Sequence, residues 1–441
     1  MSLSRRSFLS STAASVAAAA ALKPASASAR VQGANDRVRV GVIGTGRQGQ
    51  TVMRGHLALP DVEIVALCDV YEPNLQLGAK LAPQARPVKD FRTILDDKAI
   101  DAVIVATPDH WHALQTVMAC QAGKDVYVEK PTSVVIAEGR KMVQAARKYN
   151  RVVQVGTQQR SAAHFQQAAK LIQDGAIGKI ASVRCWNFGN QAPDGIGNPP
   201  DGEPPAGLDW DAWLGPAPKR PFNPNRFGVF PRVFSHFRWF WDYAGGMMTD
   251  WGVHHIDIAH MAMNVDAPTI VNAVGSKFVL TDNRETPDTI IATYTYPGFV
   301  MTYENRTTNG RQINDHGSGL EFYGTEGTLF VDRQGFDITP ESRREEGQFV
   351  DRMLSRRQIA TTPDNPSHAR NFVDCIKSRK APICDIEIGH RSSSAALLGN
   401  VALRSGGTVV WDGKTETVTN GNAKATALLD VAYRTPWKLT V

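Results

Sequence analysis

The stretch from Val38 to Leu59 restricts the fold more than any other part of this chain. Val38 to Ile43 is a short, β-rich apolar run that leads directly into Gly44-Thr45-Gly46-Arg47-Gln48-Gly49, after which Gly49 to Leu59 has helical character. A strand that ends in closely spaced glycines and turns at once into a helix opens a βαβ unit suited to phosphate binding. Gly44 permits the tight turn, Gly46 lets the backbone approach a pyrophosphate, and Gly49 lets the helix lie close to the sheet. A second apolar run, Val62 to Cys68, ends at Asp69, 20 residues beyond Gly49. A carboxylate there can accept hydrogen bonds from adenosine ribose hydroxyls and repel a 2'-phosphate, which favours NAD over NADP. Arg47 argues the other way, because a guanidinium beside the loop suits a phosphate.

Further buried strands are expected at Ala102 to Ala106, Val126 to Val128 and Val152 to Val155, separated by helices near His112 to Ala122 and Ile136 to Tyr149. Strands that are apolar throughout, joined by helical crossovers, imply a parallel sheet covered on both faces. The expected architecture is therefore an α/β Rossmann domain with a doubly wound parallel sheet over 37–156. The second half changes character. Ile290 to Tyr296, Phe299 to Tyr303, Gly319 to Tyr323 and Thr328 to Val331 alternate or are β-rich, with glycine turns between them. They predict an α+β domain over 157–441 with an open, mainly antiparallel sheet. The Pro- and Gly-rich stretch from Asn190 to Pro231 is too long for a routine connection and is expected to pack over the site or a partner. Glu341 to Arg357 reads as a solvated loop or weak helix, and late helices are expected around 367–403, over Ser367 to Lys377 and Ile388 to Leu403.

Three segments carry chemistry. Ala106-Thr107-Pro108-Asp109-His110-Trp111-His112 follows the strand expected at Ala102 to Ala106 and should line the crevice at the strand ends, with Asp109 also placed to cap the next helix. His110 and His112 have no nearby third ligand, so no metal is expected. Glu129-Lys130-Pro131 ends another strand, where Lys130 can set a fixed positive charge beside a reacting oxygen. Gly245-Gly246 precedes Asp250 and His254. If Thr249 to Met263 is one helix, Asp250, His254 and Asp257 share a face and His255 points elsewhere. An imidazole titrates near working pH and can take a hydroxyl proton during alcohol oxidation.

In order and spacing these segments resemble the Gfo/Idh/MocA oxidoreductase family, the group that includes glucose-fructose oxidoreductase and inositol dehydrogenase, over nearly the whole chain after residue 36. Asp109 replaces the Asn usual in the family's Thr-Pro-Asn-x-x-His segment. The resemblance implies NAD as cofactor, held by Gly44, Thr45, Gly46, Arg47, Gln48, Gly49, Asp69, Thr107, Pro108, His112, Glu129 and Lys130. It implies a catalytic group of Lys130, Asp250 and His254, with His254 transferring the proton. Six of the nine tryptophans (Trp186, Trp210, Trp213, Trp239, Trp241 and Trp251) fall in one span of 66 residues around the expected site. Aromatic faces suit a pyranose, so a carbohydrate substrate is expected, with Arg160, Arg238, Trp239 and Asp242 as candidate contacts.

Ser4-Arg5-Arg6-Ser7-Phe8-Leu9, an apolar run from Ala13 to Leu22, and Ala25-Ser26-Ala27-Ser28-Ala29 together resemble a twin-arginine export signal with cleavage after Ala27 or Ala29. The run is too short to span a bilayer, which needs ~20 residues. Residues 1–29 are set apart as a signal and 30–36 as a linker, with the export machinery as partner, a periplasmic location and no membrane anchor after cleavage. The net charge of +6 includes Arg5, Arg6 and Lys23 of this leader, and nothing suggests nucleic acid. Five cysteines without C-x-x-C or zinc-finger spacing read as buried free thiols. Self-association into a homo-oligomer is expected. Three functional readings follow: a sugar or cyclitol dehydrogenase, a redox-neutral glycoside-cleaving enzyme that transiently oxidises a ring carbon, and a non-catalytic periplasmic sugar sensor.

Overall fold

The computed structural model describes residues 37–231, 234–360 and 364–441; the leader expected over 1–29 and the linker 30–36 lie outside the described residues. Strands β1 (Val38–Ile43), β2 (Val62–Cys68), β3 (Arg86–Val88), β4 (Ala102–Val105), β5 (Asp125–Val128) and β6 (Val153–Val155) form a six-stranded sheet ordered β3-β2-β1-β4-β5-β6, parallel throughout. Every residue of β4 and β5 is buried, as a sheet covered on both faces requires. Helices Asp109–Gln121 and Ile136–Lys148 cover one face through residues such as Leu114, Val117, Met142 and Val143. Helix Arg47–Leu57 covers the other through Val52 and Met53. The first of the two late helices runs Asp364–Ser378, and its Phe372, Val373 and Ile376 belong to this same core. Arg370 pairs with Asp61 at 2.7 Å and Arg379 with Asp125 at 2.6 Å, so a helix from the distant end of the sequence completes the parallel-sheet layer.

The second sheet has ten strands. In chain order they are β7 (Ile180–Phe188), β8 (Ile270–Ser276), β9 (Thr289–Tyr296), β10 (Phe299–Arg306), β11 (Ser318–Gly324), β12 (Gly327–Asp332), β13 (Gly335–Pro340), β16 (Arg356–Ile359), β17 (Val409–Asp412) and β18 (Thr417–Val418), and their spatial order is β16-β13-β12-β11-β7-β10-β9-β8-β17-β18. Only β7 and β10 pair in parallel. One face packs on helices Ala163–Gln173, Gly252–Met263 and Ile386–Ser405, and the alternating burial of β9 and β10 follows from that one-sided cover. The four strands expected from sequence correspond to β9, β10, β11 and β12 with bounds extended by up to a few residues, whereas β7, β8, β13, β16, β17 and β18 were not anticipated.

Two expectations need correction or refinement. Glu341 to Arg357 is neither loop nor helix. It contains a fully exposed hairpin, β14 (Ser342–Glu345) against β15 (Gln348–Asp351), followed by β16 on the sheet edge. Its two-residue turn, Glu346-Gly347, has φ of 49° and 88°, the backbone that tight hairpins use. The stretch from 190 to 231 has a core of its own, in which Trp213, Leu214, Phe222 and Phe227 pack with Tyr71 and Tyr243. It is tied to the carboxyl end of β2, where Asp209 N–H donates to Val70 O and Glu72 N–H to Gly207 O. All five cysteines are free and buried.

Candidate active site

A cleft of about 670 Å³ runs along the carboxyl ends of β3, β2, β1, β4 and β5, and reaches helix Gly252–Met263 of the second layer. The strand order reverses between β1 and β4, the place where open α/β sheets bind ligands. Asp69, Asp90 and Arg92 line one end, while Lys130, Asp250 and His254 line the other.

The glycine loop shapes the first part of the cleft. Gly44 has φ of +91°, and a Cβ there would lie 2.6 Å from Ala106 O; a Cβ on Gly49 would lie 2.0 Å from Gly44 O. Gly46, Arg47 and Gln48 line the cleft, whereas Thr45 and Gly49 shape it from behind. Thr45 donates to Asp69 Oδ2 from its backbone N–H at 2.8 Å and from its hydroxyl at 3.2 Å, and Tyr71 N–H donates to Oδ1 at 2.9 Å. These bonds fix the carboxylate on the cleft wall. Helix Arg47–Leu57 carries no side-chain cap at Gly46, so its first turn offers open N–H groups and the positive end of its dipole. Glu129 is buried; its Oε1 accepts from Gln158 at 2.9 Å, while Oε2 has no partner among the described residues. An orphaned acceptor on the cleft wall fits a ribose hydroxyl, so the residues present suit a dinucleotide.

The segment after β4 joins the two ends. His112 lies with Nδ1 2.7 Å from Pro131 O and Nε2 2.8 Å from Thr107 O. Burial lowers its pKa to about 4, so the ring is neutral and only one of these contacts is a donated hydrogen bond. It links the Lys130-Pro131 turn to the Thr107 loop. The cap position of this helix is held by Pro108 rather than by Asp109 as expected; Asp109 is the first helical residue and lines the cleft. Burial pushes its carboxyl up to about 7, against the pull of Lys130 and Arg238 and with a push from Asp250. The proton is therefore held in the acid range and lost as pH rises through about 7, which adds a negative charge to a cleft built for phosphates. NAD affinity should weaken across that range in the native protein and stay level in Asp109→Asn, as measured by fluorescence titration at several pH values. A sloping profile in the variant would transfer the effect to another group.

At the far end the expected single helix is broken. Gly246–Asp250 and Gly252–Met263 are separate helices that meet at Trp251, where φ is −99° and ψ −38°. Tyr303 Oη donates to Met247 O at 3.0 Å, and its ring lies 3.2 Å from where a Gly252 Cβ would stand. The break frees the Asp250 carbonyl, and Lys130 Nζ donates to it at 3.1 Å and to Asp250 Oδ1 at 2.8 Å. Arg238 Nε lies 3.2 Å from Asp250 Oδ2. Burial alone would raise the Asp250 carboxyl, but Arg238 and Lys130 outweigh it and hold it below the usual carboxylate range. His254 also lines the cleft. Burial, reinforced by Lys130 and Arg333, keeps its ring well below the ordinary histidine range, and Nδ1 has no partner among the described residues. Asp257 turns away from this group, and His255 lies 3.1 Å from the Ser318 hydroxyl.

Of the candidate substrate contacts, only Arg238 reaches the cleft. Arg160 is buried against Asp257 at 2.7 Å, Trp239 is buried beneath the Arg284 guanidinium at 4.6 Å, and Asp242 pairs with Arg220 at 2.7 Å. Among the six clustered tryptophans, Trp213 and Trp251 line the cleft. Trp111 and Trp437 complete its aromatic wall from other parts of the chain. Arg333, on the turn after β12, stands over the Trp251 ring at 4.6 Å and was missed, as were Phe91 and Arg92 after β3. None of these lies in a local motif, and only the fold brings them together. Among the described residues no group of three or more His, Cys, Asp or Glu side chains could hold a metal ion.

A parallel sheet with a glycine phosphate loop, joined to a lysine, carboxylate and imidazole across one cleft, defines a nicotinamide-dependent oxidoreductase. The chain belongs to the Gfo/Idh/MocA oxidoreductase family: residues 38–157 match its NAD-binding Rossmann fold and residues 162–439 its C-terminal alpha/beta domain. It is 25% identical to the uncharacterized oxidoreductase YrbE of Bacillus subtilis over 67% of this chain and 74% of that protein. It is 32% identical to inositol 2-dehydrogenase of Salmonella typhimurium over 34% of this chain, a match that spans less than half (46%) of that relative. A solved levoglucosan dehydrogenase in complex with NADH and levoglucosan superposes with a TM-score of 0.64 at 20% identity, covering 85% of this chain and 99% of the other.

Proposed function

We propose that this protein oxidises a hydroxyl of a sugar, cyclitol or glycoside, with His254 as proton acceptor. The observation that carries this reading is a neutral, buried imidazole with an unpartnered ring nitrogen at the same end of the cleft as the fixed Lys130 ammonium. When bound, NAD supplies the two-electron acceptor. Its phosphates would meet the first-turn N–H groups after Gly46, and its ribose hydroxyls would meet Asp69 and Glu129 Oε2. His254 takes the hydroxyl proton on a ring nitrogen. Lys130 sets positive charge beside the oxygen, and Asp250, shared with Arg238, holds that ammonium in place. Trp251 lines the cleft and offers aromatic surface for ring C–H groups, with the Arg333 guanidinium over one face. The inositol 2-dehydrogenase and levoglucosan dehydrogenase similarities support a carbohydrate or cyclitol substrate.

The reading extends to location. Arg5-Arg6 and the apolar leader support export of the folded protein to the periplasm. There an exchanging cofactor would be diluted away, so the reducing equivalents must be returned on the enzyme, either between two sugars or within one glycoside-cleavage cycle. Protein purified from the periplasm without added nucleotide should therefore release NAD on denaturation, identified by mass spectrometry. An empty protein that turns over only with added NAD would refute retention. Self-association is proposed through the open face of the ten-stranded sheet, where Val274, Ile291 and Val300 stand exposed on neighbouring strands; sedimentation measures it.

A further inference from the structure

After helix Ala423–Ala427 the chain leaves the second layer and returns across the first. Tyr433 Oη donates to Glu138 Oε1 at 2.6 Å. Arg434 N–H donates to Pro216 O at 2.9 Å, and its guanidinium donates to Gly215 O and Asp211 O, each at 2.9 Å. Gln121 Nε2 donates to Thr440 O at 2.8 Å, while Leu439 and Val441 pack on the parallel-sheet core. These anchors hold Trp437 at the cleft. Its ring stacks beside Phe91, with centroids 6.5 Å apart at 28°, and meets Trp111 edge-on at 5.0 Å, with the Arg92 guanidinium 5.8 Å above it. Trp111 is itself fixed, since its Nε1 donates to Trp213 O at 2.8 Å and its ring fills the space that a Cβ on Gly215 would need. Trp437 is half-buried and lines the same end of the cleft as Asp69 and Asp90.

We propose that residues 430–441 are a strap over the adenosine end of the cleft, and that Trp437 is a cofactor-holding residue whose ring packs against the adenine base. A base with a π-face gains from an aromatic wall, and a wall mounted on an anchored strap slows departure of the base without touching the reacting end. The strap also bonds to the 211–216 loop, so this wall and the long 190–231 segment are held as one piece. The inference rests on NAD as the cofactor and not on the identity of the carbohydrate.

The test compares NADH with reduced nicotinamide mononucleotide, which lacks the adenosine half, in equilibrium and stopped-flow fluorescence on the full chain. Trp437→Ala should release NADH roughly tenfold faster or more, with affinity for the mononucleotide unchanged. Trp437→Phe should restore most of the retention. Arg434→Ala, which removes an anchor without altering the cleft wall, should speed NADH release to a smaller extent and provides a second route if the tryptophan variant folds poorly. Unchanged NADH release in both Trp437→Ala and Arg434→Ala, or an equal loss for NADH and the mononucleotide, would overturn the proposal.

Discussion

Replacing His254 by alanine lowers turnover by ~100-fold or more while NADH affinity stays near that of the native protein, the loss expected for a positioned general base. The separation follows from placement. His254 lies on helix Gly252–Met263, remote in sequence from the glycine loop, Asp69 and Glu129, which form the dinucleotide part of the cleft. Lys130→Ala should also impair turnover, but for another reason: it removes the ammonium held between the Asp250 carbonyl and carboxylate and leaves that carboxylate to Arg238 alone. A His254 variant with native turnover would remove the imidazole from the mechanism. The two substitutions should be far from additive, because they act on one proton and one oxygen.

The second large effect is on stability. Arg160→Ala should cost about 3–5 kcal/mol, because it leaves Asp257 buried without its cation. Asp257 is 0% exposed; Arg160 Nε donates to it at 2.7 Å and the Ser392 hydroxyl at 2.7 Å. The Ser392 bond remains in the variant but carries no charge to offset the carboxylate. Denaturant unfolding of the two proteins measures the difference. A loss below ~1 kcal/mol together with a raised KM for the carbohydrate would return Arg160 to the substrate site, where sequence reading had placed it.

What was legible in the chain depended on how local its cause was. The bounds of β1 and β2, read as Val38 to Ile43 and Val62 to Cys68, coincide with the structure because continuous apolar runs closed by Gly44 and Asp69 need no distant partner to define them. The helix break at Trp251 was not legible, since the side chain that meets both of its flanks, Tyr303 bonded to Met247 O and packed beside Gly252, comes from a strand of the second sheet. For the same reason the paired residues came out unevenly. Lys130, Asp250 and His254 share the cleft as the family resemblance implied, although the single helix expected to carry Asp250 and His254 is broken at Trp251, and the aromatic density around Trp186, Trp239 and Trp241 marked packing rather than a binding wall. Composition places tryptophans near a region but does not give their direction. Trp437 and Arg333 reach the cleft only because a strap and a hairpin turn fold back onto it.

The most direct test of the account follows the redox state of the bound nicotinamide. Protein loaded with NAD is mixed with a panel of sugars, cyclitols and glycosides, and the near-ultraviolet absorbance of the reduced cofactor is recorded in a single turnover. The account predicts that at least one carbohydrate produces reduced cofactor in the native protein and that the signal rises ~100-fold or more slowly in His254→Ala loaded to the same level. A carbohydrate that binds the loaded native protein tightly and leaves the nicotinamide oxidised throughout would contradict it, and would identify the cleft as a sensor rather than an active site.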